Sequence, residues 1–150
     1  MADFDRFTTE HWTVAFPSDW IDRSENDETL YFESPQGDKG FYLSLWLMSD
    51  QELRGSRELV ESFQATEIES FFPEGEKWEL LNRTIELTGS SVMGSWEGIN
   101  QERSYRISGK QLAAGKIVLR ATFHDYDCND RVASADSFAA IVDSLQLLEA

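Results

Sequence analysis

Apolar and polar positions alternate with a period of two through residues 41–48, "FYLSLWLM". Phe41, Leu43, Leu45 and Leu47 fall on one face of an extended strand, and Tyr42, Ser44, Trp46 and Met48 on the other. Both faces are largely apolar, which predicts a strand covered on both sides. The clearest alternation is "IVLRATFHDY", residues 117–126, where Ile117, Leu119, Ala121 and Phe123 oppose Val118, Arg120, Thr122, His124 and Tyr126. Between these two stretches the period lengthens. In "RELVESFQATEIESFF" the residues Leu59, Val60, Phe63, Ile68, Phe71 and Phe72 form a broad helical stripe, leaving Glu58, Glu61 and Glu69 to solvent. Ser49 with Glu52 has capping-box spacing, Ser56 after Gly55 offers a second helix start, and "PEGE" supplies the stop.

The other elements follow from punctuation. "HWTVAF" reads as a strand ending at Pro17, "PSDW" as a turn and "IDRSENDET" as an acidic loop. "LYFES" is a short strand, and "PQGDKG" a turn. Residues 78–109 are strand-rich, and "GKQLAAGK" looks like a hairpin connection. Near the C-terminus Phe138, Ile141, Val142 and Leu145 recur at helical spacing. The order is three strands, a helix, a run of antiparallel strands and a closing helix, which predicts an α+β domain with an antiparallel sheet flanked by helices. No linker or repeat divides the 150 residues, so one domain spanning 1–150 is expected.

Composition narrows the function classes. A formal net charge of -15 repels phosphate backbones and argues against nucleic acid as a direct ligand. It favours solubility and basic or amphipathic partners. Nineteen aromatic residues (ten Phe, five Trp, four Tyr) argue against disorder. The single cysteine, Cys128, excludes an intramolecular disulfide and a multi-thiolate metal site. "MADFDRFTTEHW" has neither the basic start nor the apolar segment of a signal peptide, and "FYLSLWLM" is too short to span a bilayer. A cytoplasmic protein without membrane contact is the expectation.

"WTVAFPSDW", followed by a loop and two short strands, is similar to the opening of the PsbP/Mog-like superfamily: an apolar strand, a proline, and a tryptophan a few residues on. "FAAIVDSLQLL" resembles the closing helix of that superfamily, which commonly ends in a Ser-Leu or Ser-Phe pair. The resemblance covers nearly the whole chain and implies an α/β/α sandwich on an antiparallel sheet. It also implies action by binding proteins or ligands rather than by catalysis. Many members are exported or lipid-anchored; the missing export signal points to the cytoplasmic branches, a Ran-binding nuclear-transport branch and the bacterial effector-associated chaperones of type VI secretion. "PSDWIDRSENDETLYF" is similar to the latter, in which a Trp-X-Asp-X-Ser-like run follows the first strand.

The residues offer few constellations for chemistry. In "HDYDCND", Asp125, Asp127 and Asn129 have calcium-loop spacing with Asp136 at the twelfth position. Asp130 stands where such a loop needs glycine, and Asp136 where it needs a bidentate glutamate. The competing reading makes Asn129 or Asp130 the cap of the last helix. His124 with Cys128 suggests a nucleophile, but neighbouring aspartates disfavour the thiolate. His124, on the polar strand face, is expected to be solvated or to touch a partner. "GSWEG" is not a serine elbow, because its central position is Trp96, and its glycines read as close sheet packing.

The aromatic strand face is the remaining candidate. Tyr42, Trp46 and Met48 share it, with Trp96 as a sheet neighbour. It is either a second core beneath a covering helix or a groove for a partner, rimmed by Asp22, Glu25, Asp27 and Glu28. Three functional classes stay open. The first is a non-catalytic protein-binding module, in its sharpest form a chaperone or neutralising partner of a secreted effector, with Tyr42, Trp46, Met48, Trp96 and His124 at the contact. The same face would serve a homodimer. The second is a small-ligand or metal-binding protein using the sheet face or the 125–136 loop. The third is an enzyme, for which no assembled signature is present. No cofactor is expected.

Overall fold

The computed structural model describes residues 3–25, 29–72 and 77–148. Ten strands and two helices follow in the order β1 (Phe4–Thr8), β2 (Trp12–Pro17), β3 (Ile21–Asp22), β4 (Thr29–Glu33), β5 (Lys39–Leu47), α1 (Ser56–Phe71), β6 (Glu79–Thr88), β7 (Ser91–Asn100), β8 (Tyr105–Ala114), β9 (Ile117–Asp125), α2 (Arg131–Val142) and β10 (Gln146–Leu147). Seven strands form one antiparallel sheet in the order β3-β4-β5-β9-β8-β7-β6, and β1-β2-β10 form a smaller one. α1 packs on β6, β7 and β8; α2 packs against β2, β8 and β9. The α+β class and the flanked antiparallel sheet therefore match the sequence reading.

Strand alternation decides which residues each layer receives. Phe41, Leu43, Leu119, Ala121 and Phe123 point to one side, where they meet Val14 and Phe16 of β2 and Ile141 and Val142 of α2. Phe16 stacks on Phe32 at 4.2 Å between ring centroids and meets Phe41 edge-on at 5.3 Å. On the opposite side Leu59 and Val60 of α1 bury against Val92, Ala113 and Val118, with Met48, Phe63 and Ile85 at the margin. Removing such side chains from water, at about 25 cal/mol per Å² of apolar surface, is the main drive for both layers.

Several expectations are corrected. "GKQLAAGK" is not a connection: its first six residues lie inside β8, and the turn is confined to Gly115 and Lys116. Gly115 takes φ +59°, the left-handed conformation that a two-residue hairpin turn demands. Ser49 and Glu52 start no helix. The Glu52 N–H donates to the Ser49 carbonyl in a turn, and α1 begins after Gly55. The segment before Trp12 carries no alternation of its own, yet residues 4–8 form β1, paired along its length with β2. α2 ends at Val142; Leu145 is buried beyond it, and Gln146–Leu147 add β10 to the edge of β2. The expected stop "PEGE", like Asp27 and Glu28 of the expected acidic rim, lies outside the described residues. No helix among the described residues is long and apolar enough to cross a membrane.

Candidate functional site

One register row crosses the large sheet on the side of α1: Tyr31 pairs with Tyr42, Tyr42 with Thr122, Thr122 with Gly109, Gly109 with Trp96, and Trp96 with Arg83. Tyr42 and Trp96 thus share a face, as the alternation predicts, but β9 and β8 separate them. α1 covers only one half of this face. There Trp96 is 1% exposed, wedged against Phe71 and Phe72 at 5.9 and 5.5 Å between centroids, and so offers no surface to a partner. Its indole lies over Gly109 and the Phe72 ring over Gly98, where a Cβ at either glycine would run into the ring. A Cβ at Gly94 would likewise meet the Gln111 and Val60 side chains, so both glycines flanking Trp96 are packing positions, as the sequence suggests.

Beneath α1, beside the apolar contacts of Leu59 and Val60, lies a buried polar cluster. Glu67, 2% exposed, accepts from Trp96 Nε1 at 3.3 Å and from Gln111 Nε2 at 2.9 Å. Burial pushes its carboxyl up to about 7, against the opposing pull of Arg120, whose Nε is 4.0 Å away, and of the two donors. Gln64, fully buried, donates to the Thr84 and Ser95 carbonyls and accepts from Arg83 Nε at 2.7 Å. The apolar stripe read from the sequence passes over Gln64 and Glu67. Their spacing from Val60 and Phe71 (60, 64, 67, 71) places them on the inward face all the same.

The other half of the face, over β4, β5 and β9, is not covered. All four tyrosines of the chain gather there around His124. Tyr31 stacks on Tyr42 at 4.3 Å; Tyr42 meets His124 edge-on at 5.2 Å; Tyr126 stacks on His124 at 5.8 Å. The Tyr105 hydroxyl stands 2.7 Å from His124 Nδ1, and Phe71, at the end of α1, lies 5.5 Å from the imidazole. Tyr42, Phe71, Tyr105, His124 and Tyr126 line an open cleft of about 350 Å³ that also takes in Arg120 and Thr122. A second hollow of about 450 Å³ adjoins it, between Arg23, Glu25, Thr29, Tyr31 and Tyr42.

Electrostatics keep this cluster neutral. His124 is 5% exposed rather than solvated, which corrects the expectation of a surface histidine. Burial, reinforced by the Arg120 charge, brings its pKa down to about 4. Burial likewise holds the Tyr31, Tyr42 and Tyr105 phenols above the ordinary range, so they stay protonated donors. His124 Nε2 is buried without a hydrogen-bond partner among the described residues.

Trp46 sits at the border of the two halves, 36% exposed, edge-on to Phe63 at 5.1 Å and beneath the Arg120 guanidinium at 5.4 Å. Met48 turns into the second core. Of the five expected contact residues, then, Tyr42 and His124 line the cleft, Trp46 flanks it, and Met48 and Trp96 lie in packing. Leu47, 62% exposed, lies on the opposite face of β5, and Leu53, 96% exposed, lies in the loop before α1. Of the expected acidic rim, Glu25 lines the outer hollow, whereas Asp22 accepts from the Ser24 N–H at 2.9 Å.

"HDYDCND" resolves into a strand end and a helix cap. Asp130 accepts from the Ala133 N–H at 3.1 Å and is the cap of α2. Asp125 accepts from the Asp127 N–H, and Asp127 from Asn129 Nδ2, both at 3.2 Å. Asp136 is exposed on α2. No group of three His, Cys, Asp or Glu side chains among the described residues is placed to hold a metal ion, so the 125–136 calcium set is not assembled. Burial, then the charge of Asp125, holds the half-buried Cys128 thiol up.

No family model matches the chain, and no curated protein does. The solved structures supply the likeness. The cyanobacterial PsbP (CyanoP) of Synechocystis sp. PCC 6803 matches with a TM-score of 0.67 at 14% identity, over 99% of this chain and 94% of that one. The Ran-binding protein Mog1p of Saccharomyces cerevisiae matches with a TM-score of 0.63 at 11% identity, over 99% and 97%. The chain has the PsbP/Mog-like fold.

Proposed function

We propose that the chain works as a single domain that binds another protein and performs no catalysis. The observation that carries this is the half-covered sheet face. α1 buries Trp96 and its surroundings, while the half-buried Tyr42 and the exposed Trp46 on the same face keep aromatic surface in solvent. Exposed aromatic and apolar surface concentrated in one place is characteristic of partner sites. The net charge of -15 favours a basic or amphipathic partner, or a partner segment of that kind. A Ran-binding protein shares the fold, which supports protein binding as its use here. Cys128 gives no sign of an activated nucleophile, since its thiol is held protonated.

In its sharper form this reading makes the chain a cytoplasmic, bacterial chaperone or neutralising partner of a secreted effector. The similarity of "PSDWIDRSENDETLYF" to the effector-associated chaperones supports that form. The test is capture from the native host with wild type and with Trp46→Ala and Tyr42→Ala, each verified as folded by its melting curve. A protein retained by wild type and lost by both variants is the expected result. Equal retention by all three would remove the face from consideration.

A further inference from the structure

The His124 cleft holds a buried polar atom that the fold leaves unused. His124 is 95% withdrawn from solvent, its Nδ1 is engaged by the Tyr105 hydroxyl at 2.7 Å, and its Nε2 meets no partner among the described residues. An unpaired buried nitrogen carries an uncompensated desolvation cost, so folds rarely leave one without a use. In the tautomer whose Nδ1 accepts from the Tyr105 phenol, Nε2 carries the ring hydrogen and needs an acceptor.

The surroundings define that acceptor. Among the described residues lining the cleft, Arg120 is the one charged side chain. Tyr42, Phe71, Tyr105 and Tyr126 supply ring faces and edges, and the phenols remain donors. The volume of about 350 Å³ is at the small end of ligand sites. We propose that this cleft is a binding site for a small aromatic monocarboxylate, its ring packed among Tyr42, Phe71 and Tyr126 and its carboxylate shared between Arg120 and His124 Nε2.

Two further observations agree. Arg120 is already aligned by stacking over Trp46 at 5.4 Å, so little ordering is left for a carboxylate to impose. Its protein counter-charge, Glu67, stands 4.0 Å away and at neutral pH is only part-ionised, so Arg120 retains net positive charge for an anion. A third hollow, of about 420 Å³ between Trp20, Lys39 and Ile141, lacks these properties: Lys39 is paired with Asp38 at 3.0 Å, and no orphaned buried atom among the described residues lies there. The inference is independent of the protein-binding reading, since a ligand can occupy the cleft with or without a partner on the outer face.

The test titrates the whole protein with benzoate and, separately, with benzylamine and cyclohexylamine. Histidine imidazole resonances and melting temperature are the readouts. Benzoate should shift the His124 imidazole saturably, with a dissociation constant on the order of 1 mM or tighter, and raise the melting temperature. Arg120→Gln, at a half-buried position, should weaken binding by about tenfold or more while the protein stays folded, and His124→Phe should do the same. No saturable shift with benzoate, equal binding in Arg120→Gln, or preference for either amine would each overturn the proposal. If His124→Phe does not fold, the Arg120→Gln titration and the amine comparison decide alone.

Discussion

Trp96 Nε1 donates to the Glu67 carboxylate at 3.3 Å beneath α1, joining a fully buried tryptophan of the large sheet to a buried carboxyl group on the inward face of the helix. The pairing explains two things at once. A tryptophan under a helix needs an acceptor for its N–H, and a glutamate on the inward face needs donors to be tolerated there. Neither residue is interpretable without the other.

The acid–base behaviour of Glu67 follows. Its ordinary pKa of 4.5 is raised to about 7 in the fold, chiefly by burial. A carboxyl with a raised folded pKa binds its proton more tightly when folded. Its contribution to stability is therefore full below pH 4.5 and lost as pH rises toward 7. Relative to Glu67→Gln, which keeps an acceptor for Trp96, wild type should lose about 2–3 kcal/mol across that window. Denaturant melts of both proteins at several pH values check this; parallel pH profiles would refute it.

Glu97 should behave in the opposite sense. Burial raises its pKa, but hydrogen bonds from Arg131 and Arg106 outweigh burial and bring it down to about 2. Its stabilisation is present above pH 4.5 and lost as pH falls toward 2. Arg106 is 2% exposed and bonds Glu97 Oε2 at 2.7 Å. Glu97→Gln strands that buried cation and should cost about 3 kcal/mol. Arg131→Ala removes only the half-exposed partner and should cost less than about 1 kcal/mol. Chemical denaturation at neutral pH distinguishes the two.

Gly109→Ala tests the seat of Trp96. A methyl group there collides with the indole, and the variant should lose about 1–3 kcal/mol with a lower denaturation midpoint. Gly55→Ala, with nothing within 4 Å of the added carbon, should change stability by less than about 1 kcal/mol.

Asp130→Ala should destabilise the protein by about 1 kcal/mol through loss of the α2 cap, read from the midpoint of thermal unfolding. Asp127→Ala and Asp136→Ala should change it by less than about 0.5 kcal/mol. Equal losses at all three positions would point to a shared role that capping does not explain.

The sequence made legible whatever local periodicity governs. β5 and β9 were recognisable from alternation, α1 from its stripe, and the class of fold from element order and the opening and closing motifs. Capping of α2 was narrowed to Asn129 or Asp130, and geometry selected Asp130. Illegible were features that depend on distant pairing. β1 is a polar-looking five-residue strand defined only by β2, and the two residues of β10 carry no periodicity. His124 reads as polar-face and solvated because its neighbours on the strand are Arg120 and Thr122. It is buried because Tyr105, Tyr126 and Phe71 arrive from β8, the end of β9 and the end of α1. Gln64 and Glu67 were missed because stripe-reading counts apolar residues only.

The small sheet ties the two ends of the sequence through its middle strand. β2 accepts β1 from close by in sequence and β10 from far away, and the Ala15 N–H donates to Ser144 Oγ at 2.8 Å across 129 positions. Closing so long a loop comes at a large entropic cost before its contacts are made. The β2–β10 ladder should therefore be a late event in folding. Until it forms, one edge of β2 stays open to strands of other molecules, a period of vulnerability set by the topology of the native fold.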